Sequence, residues 1–205
     1  GQLSGERVRQ ELLKLLAAPD PGPAWRLMVE TGVAPAILGE PGNQGLLAGL
    51  VAVEPAPDPL RRLAALVTVD GEGAKALAER LRLSNAQRDR LVALRSSPAF
   101  AADVPLSALR AAAYREGRDL VVDRLLLGWA AAPGKARFGD LVAVLGDWPV
   151  PRFPLKGADA LKAGIPAGPA VGAALRAVED WWVGQDFAPD RAACRAELRR
   201  LASAG

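Results

Sequence analysis

Along almost the whole chain, apolar residues return with the spacing of one helix face rather than alternating as in a strand. Val8, Leu12, Leu15 and Leu16 form such a stripe, with Ser4 placed as N-cap. The break at Pro19–Asp20–Pro21–Gly22 ends that helix, and a second is predicted from about Pro23 to Glu30. A Gly/Pro-rich stretch over 39–45 precedes an apolar helix near Leu46 to Val53. Leu60, Leu63, Ala64 and Val67 predict another, opened by Asp58 and Pro59 as N-cap and first position. Ala74, Leu77, Ala78 and Leu81 predict the next, and Ser84 then caps a polar helix to about Arg95. Helices follow over 106–115 and 119–132, the latter apolar around most of its circumference and so expected at the centre of the core. Phe138, Leu141, Val142 and Leu145 make a clean stripe, and the last helices are expected over about 169–184 and 190–202. Leu66 to Val69 is β-like but too short and isolated to found a sheet. The pattern predicts an all-α protein of short helices packed as hairpins. A boundary is expected at 148–154, where Pro149, Pro151 and Pro154 cluster, giving a larger domain over 1–148 and a smaller one over 149–205.

Composition narrows the chemistry. At 205 residues, half of them apolar and 5% aromatic, the chain can bury a core as one domain or two small ones. No apolar run approaches the roughly 20 residues that span a bilayer, so no membrane partner is expected. The polar opening, Gly1 to Glu11, does not read as a signal peptide, and the lack of an initiator Met suggests a piece of something longer. There is no histidine, and Cys194 is the sole cysteine. That excludes Ser–His–Asp and Cys–His catalysis and zinc sites built on His or Cys. A disulfide within the chain cannot form, which fits a reducing cytoplasm. A net charge of +3 and a pI near 9.4 permit a nucleic-acid partner without demanding one.

Two acidic pairs and three basic groupings remain. Asp70 and Glu72 have the spacing of a Mg²⁺-holding pair, but a helix precedes them instead of a strand end and a Gly-rich turn, so a turn between helices is expected. Glu179 and Asp180 diverge by about 100° on a helix and do not chelate one ion easily. No catalytic or metal site is expected. Arg80, Arg82, Arg88, Arg90 and Arg95 lie close together in sequence, and Arg191, Arg195 and Arg199 form one stripe on the last helix. The stretch 155–175 sets Lys156, Lys162, Gly157, Gly164, Gly168 and Gly172 among two helix starts, whose unpaired N–H groups suit phosphate. Of the adjacent Trp181 and Trp182, the latter continues the stripe of Val171, Leu175 and Val178 into the core.

These motifs resemble, in order, the neck, body and tail of bacterial tRNA nucleotidyltransferases and poly(A) polymerases. The neck resemblance rests on Ser4, Glu6, Arg7, Val8, Glu11, Leu12, Leu27, Met28, Thr31 and Gly32. The run from Arg80 to Leu91 is similar to a helix–turn–helix step of the body, and Leu155 to Leu175 to the tail, with Ala160 where the family usually has Leu. The resemblance implies that Glu6, Arg7 and Glu11 are neck scaffold, with Arg7 and Glu11 spaced for an i,i+4 pair. It implies RNA contacts at Arg80, Arg82, Arg88, Lys156, Gly157, Asp159, Lys162 and Gly168. The family's catalytic head, with its Gly-rich turn, Asp-x-Asp pair and nucleotide-selecting helix, has no counterpart here. CCA or adenosine addition to RNA 3′ ends, with Mg²⁺ and ATP or CTP, would then belong to a head upstream, and this chain would hold tRNA or another RNA. CCA and poly(A) addition are not separated by these residues. The alternative is a non-catalytic all-α protein-interaction module whose basic stripes are merely solvated.

Overall fold

In the computed structural model, which describes residues 4–204, the chain is all-α, built of short helices joined by tight turns. The backbone divides into two compact units. One runs to Val104 and resumes over Asp119–Asp147; the other takes Pro105–Arg118 and everything from Trp148.

The larger unit holds α1 (Gly5–Leu16), α2 (Gly22–Glu30), α3 (Val33–Leu38), α4 (Gln44–Val53), α5 (Pro59–Leu66), α6 (Gly71–Arg80) and α7 (Asn85–Ser96). The smaller unit's α8 (Leu106–Glu116) interrupts it in sequence before α9 (Arg118–Ala131) and α10 (Arg137–Asp147) complete it. Local chemistry explains most of the starts. Ser4, Asn43, Asp58, Asp70 and Ser84 each accept a first-turn N–H, and Ser84 with Gln87 forms a reciprocal capping box. The core gathers Leu12, Leu16, Trp25, Leu50, Leu63, Leu66, Leu91 and Leu126 around α5, every residue of which from Leu60 to Leu66 is buried. Helices α4 and α9 approach so closely that a Cβ on Gly49 would stand 2.3 Å from the Ala130 carbonyl oxygen.

Three features depart from the periodicity. Helix α3 is a six-residue turn between two glycines with left-handed backbone, Gly32 (φ +76°) and Gly39 (φ +85°), too short to leave a stripe. The β-like run after Leu66 is an extended connection whose edge pairs with a loop: Asn43 N–H donates to the Leu66 carbonyl at 2.7 Å, and Thr68 N–H to Glu40 at 2.7 Å. Helix α9 is buried as expected, yet its buried set includes Asp123 and Arg124. Asp123 belongs to an ionic network. Arg90 donates to Asp123 at 2.7 Å and Asp58 at 2.8 Å, Arg61 lies 3.5 Å from Asp123, and Arg61 and Arg62 flank Glu54. Arg62, 1% exposed, also donates to the carbonyls of Leu16 and Ala18, so it closes the C-terminal end of α1. Burial pushes the Asp58 carboxyl up, but the Arg61 N–H and Arg90 outweigh it and hold the pKa below the usual value. At Asp123 burial prevails over Arg90 and Arg61, and the pKa lies above it.

The smaller unit packs α8 with α11 (Gly157–Lys162), α12 (Pro169–Gly184) and α13 (Arg191–Ala204). Its core is Leu155, Ala160, Ile165, Val178, Trp182, Val183, Cys194 and Leu198. Trp182 is the hub: its ring meets Phe187 edge-on at 4.9 Å, lies 5.8 Å from Tyr114, and its Nε1–H donates to the Pro189 carbonyl at 2.9 Å. Trp181 is partly buried against the same core. Helix α8 is tied to α12 by Arg115–Asp180 at 2.8 Å and by a hydrogen bond from Tyr114 to Glu179. Burial, reinforced by Glu179, pushes the Tyr114 hydroxyl pKa well up.

Candidate nucleic-acid interface

The clustered arginines of the middle run take different roles. Arg90 is spent on Asp58 and Asp123, and Arg95 donates to the Val69 carbonyl at 2.8 Å. Arg88 pairs with its neighbour Asp89 at 2.8 Å. Arg80 and Arg82 stay exposed where α6 ends. That end is a Schellman closure: Arg82 N–H donates to Glu79 and Leu83 N–H to Ala78, with Arg82 itself in the left-handed region at φ +51°.

The first helix packs against this turn. Arg9 donates to the Arg82 carbonyl, and a Cβ on Gly5 would lie 2.5 Å from the Arg80 carbonyl. Arg80 in turn donates to the Ile37 carbonyl on α3 at 2.5 Å. Tertiary structure thus joins Arg9, Arg80 and Arg82 into one basic patch shared by α1, α3 and the α6–α7 turn. No sequence spacing announces it, because the partners lie 43 and 73 residues apart.

The expected scaffold residues occupy the other side of α1. Arg7 and Glu11 stand with Val8, Leu12, Lys14, Leu15, Met28, Val33 and Ile37 along a groove of about 530 Å³ that is mostly apolar. Arg7 and Glu11 do not form the i,i+4 ion pair that their spacing allows; both side chains remain at the groove, and Glu6 sits in the first turn of α1. Val33 on the groove lining is 44% exposed, and Leu27, which is not part of that lining, is 60% exposed.

The smaller unit brings the tail motif together with the last helix. Lys156 is the exposed N-cap of α11, Gly157 its first residue, and Gly168 (φ +115°) the N-cap of α12. Asp159 lies buried. Its carboxylate accepts the Lys156 N–H at 3.0 Å, Arg195 Nε and Nη2 at 3.0 and 2.7 Å, and Arg191 Nη2 at 3.3 Å. Arg195, with the Lys156 N–H and Arg191 behind it, holds the Asp159 pKa down at about 2. Lys162, Arg195 and Arg199 line a common polar cleft beside it. The arginine stripe on α13 was legible from its spacing, but its convergence on Asp159 was not.

Among the described residues no three of Asp, Glu or Cys converge as a metal site, and Asp70 is occupied in capping α6 at Gly73 N–H, 2.9 Å. No described helix is long and apolar enough to cross a membrane.

Comparison with known families bears on the first three helices. Residues 1–42 match the family model described as "Probable RNA and SrmB- binding site of polymerase A". The chain therefore carries, at α1–α3, a region like the RNA-binding part of a poly(A) polymerase. The chain is also 45% identical over 87 residues to the "Uncharacterized 28 kDa protein in petA 5'region" of Rhodospirillum rubrum, a match covering 38% of this chain and 34% of that protein. The match thus spans about a third of the relative's length. The polymerase-like segment supplies Arg9 to the basic patch and every lining residue of the apolar groove.

Proposed function

We propose that this chain is the RNA-holding part of a template-independent nucleotidyltransferase, with tRNA or a similar structured RNA as its ligand. The observation that carries this reading is the polymerase-like segment at residues 1–42, whose Arg9 joins Arg80 and Arg82 in one exposed cationic patch. Guanidiniums match phosphate oxygens with their planar fork of donors and suit recognition of an RNA backbone and its shape. Arg88, Lys156, Gly157, Lys162 and Gly168 extend the same function over both units, and Asp159 acts through the arginines it holds. Addition of CCA or adenosines, with Mg²⁺ and ATP or CTP, resides on a separate catalytic head. The compartment is the cytoplasm.

Filter retention of labelled tRNA tests the reading. Binding at low salt is expected, with log affinity falling linearly against log salt, and no incorporation of labelled ATP or CTP. Absence of retention at low salt would overturn the binding role; incorporation would overturn the assignment of chemistry to another domain.

One observation favours a protein partner in addition. The groove on α1 is apolar, which suits a protein's side chains better than an RNA backbone. The matching family description names SrmB beside RNA.

A further inference from the structure

A cleft of about 260 Å³ lies in the smaller unit between α11 and α13, lined by Lys162, Arg195 and Arg199 with Ala163 and Leu198. The similarity over residues 1–42 does not reach it. Its one carboxylate is Asp159, 7% exposed, and both oxygens of Asp159 are already engaged by the Lys156 N–H and two guanidiniums. A carboxylate so engaged serves as a bracket. Arg195 spends Nε and Nη2 on it, which fixes the plane of the guanidinium and leaves Nη1 for a ligand. Lys162 and Arg199 have no carboxylate partner among the described residues. Three cations against one carboxylate, on a polar lining without an aromatic ring, suit a compact oxyanion and offer no plane on which a base could stack.

We infer that this cleft binds a backbone phosphodiester of the RNA, and that Asp159 is the positioning residue that presets Arg195 for it. The inference rests on the reading of RNA as the ligand. Its physical content lies in the sign of one substitution. Asp159→Asn removes a negative charge from beneath the cleft, so attraction by charge alone predicts tighter binding. Loss of the bracket predicts the reverse, because a freed arginine must be ordered again on each encounter. For one side chain that ordering weakens binding by about two- to twelvefold.

The test titrates a fluorescent RNA hairpin with the full chain across a salt series, with helicity and melting recorded for every variant. Lys162→Gln and Arg199→Gln remove exposed side chains, so they are expected to fold normally. Each should weaken binding and reduce the salt slope by about 0.7 to 0.9. Asp159→Asn should lower the melting temperature, and should weaken binding at a temperature where its helicity shows it folded. If it fails to fold, Arg195→Lys, which keeps the charge but loses the fork, replaces it and is expected to weaken binding. Unaltered affinity and slope in Lys162→Gln and Arg199→Gln, in a chain that binds RNA, would overturn the cleft while leaving the RNA reading intact. Tighter binding by Asp159→Asn, or undiminished binding by Arg195→Lys, would overturn the positioning role. A ³¹P titration with inorganic phosphate separates the two sources of the anion. Phosphate binding that the Lys162 and Arg199 variants abolish, in a chain that retains no RNA, would keep the oxyanion cleft and overturn RNA as its ligand.

Discussion

Arg62→Met should loosen the attachment of the polymerase-like segment by about 3 to 5 kcal/mol. Met replaces the aliphatic stem but is shorter than Arg, so at a position that is 1% exposed the place of the guanidinium is left partly unfilled. Three interactions disappear together: the ion pair with Glu54, itself 1% exposed at the side chain, and the hydrogen bonds to the carbonyls of Leu16 and Ala18. Arg61 stays near Glu54 at 3.3 Å, which limits but does not remove the cost of a half-paired buried carboxylate. The orphaned carbonyls at the end of α1 add to it. Urea unfolding is the assay, with hydrogen exchange in peptides spanning α1 and α5 to assign the change to the larger unit. At a slope of about 2 kcal/mol per molar urea, a loss of about 4 kcal/mol moves the midpoint by roughly 2 M. A shift under about 0.5 M at unchanged slope would refute the argument that Arg62 anchors α1.

Gly49→Ala should destabilise the larger unit by about 1 to 3 kcal/mol, because the new Cβ meets the Ala130 carbonyl oxygen at 2.3 Å. Gly146→Ala, where no atom lies within 4 Å, should raise stability by about 0.4 to 1 kcal/mol; equal melting shifts of one sign would contradict the packing. Arg82→Gly relieves a left-handed backbone at φ +51°, so stability should hold or rise by up to about 1 kcal/mol while tRNA retention weakens. Loss of stability without loss of retention would remove Arg82 from the interface. Asp159 titrates low, at about 2, so the stability it gives is complete above the unfolded carboxylate value near 4 and is lost as pH falls toward 2. An acid titration of the smaller unit's melting temperature should show that loss, and Asp159→Asn should flatten it across the same window.

Local chemistry made most helices legible in the sequence. Ser4, Asp58 and Ser84 cap helices where expected, and the stripe through Val178 and Trp182 does enter the core. Caps and stripes act over three or four residues, so the chain writes them in its own order. Helix α3 was not legible, since six residues between left-handed glycines hold too little period to register.

The all-α class, most helix boundaries and the residue types available for a phosphate-binding surface can be read along the chain. Which cations are available depends on how the helices pack. Packing withdrew Arg90 into an ionic network with Asp58 and Asp123, joined Arg9 to Arg80 and Arg82, and set Asp159 beneath Arg191 and Arg195. Those partners stand between 32 and 73 residues apart. A charge's partner is fixed by which helices close on one another, and no short-range period along the chain carries that information.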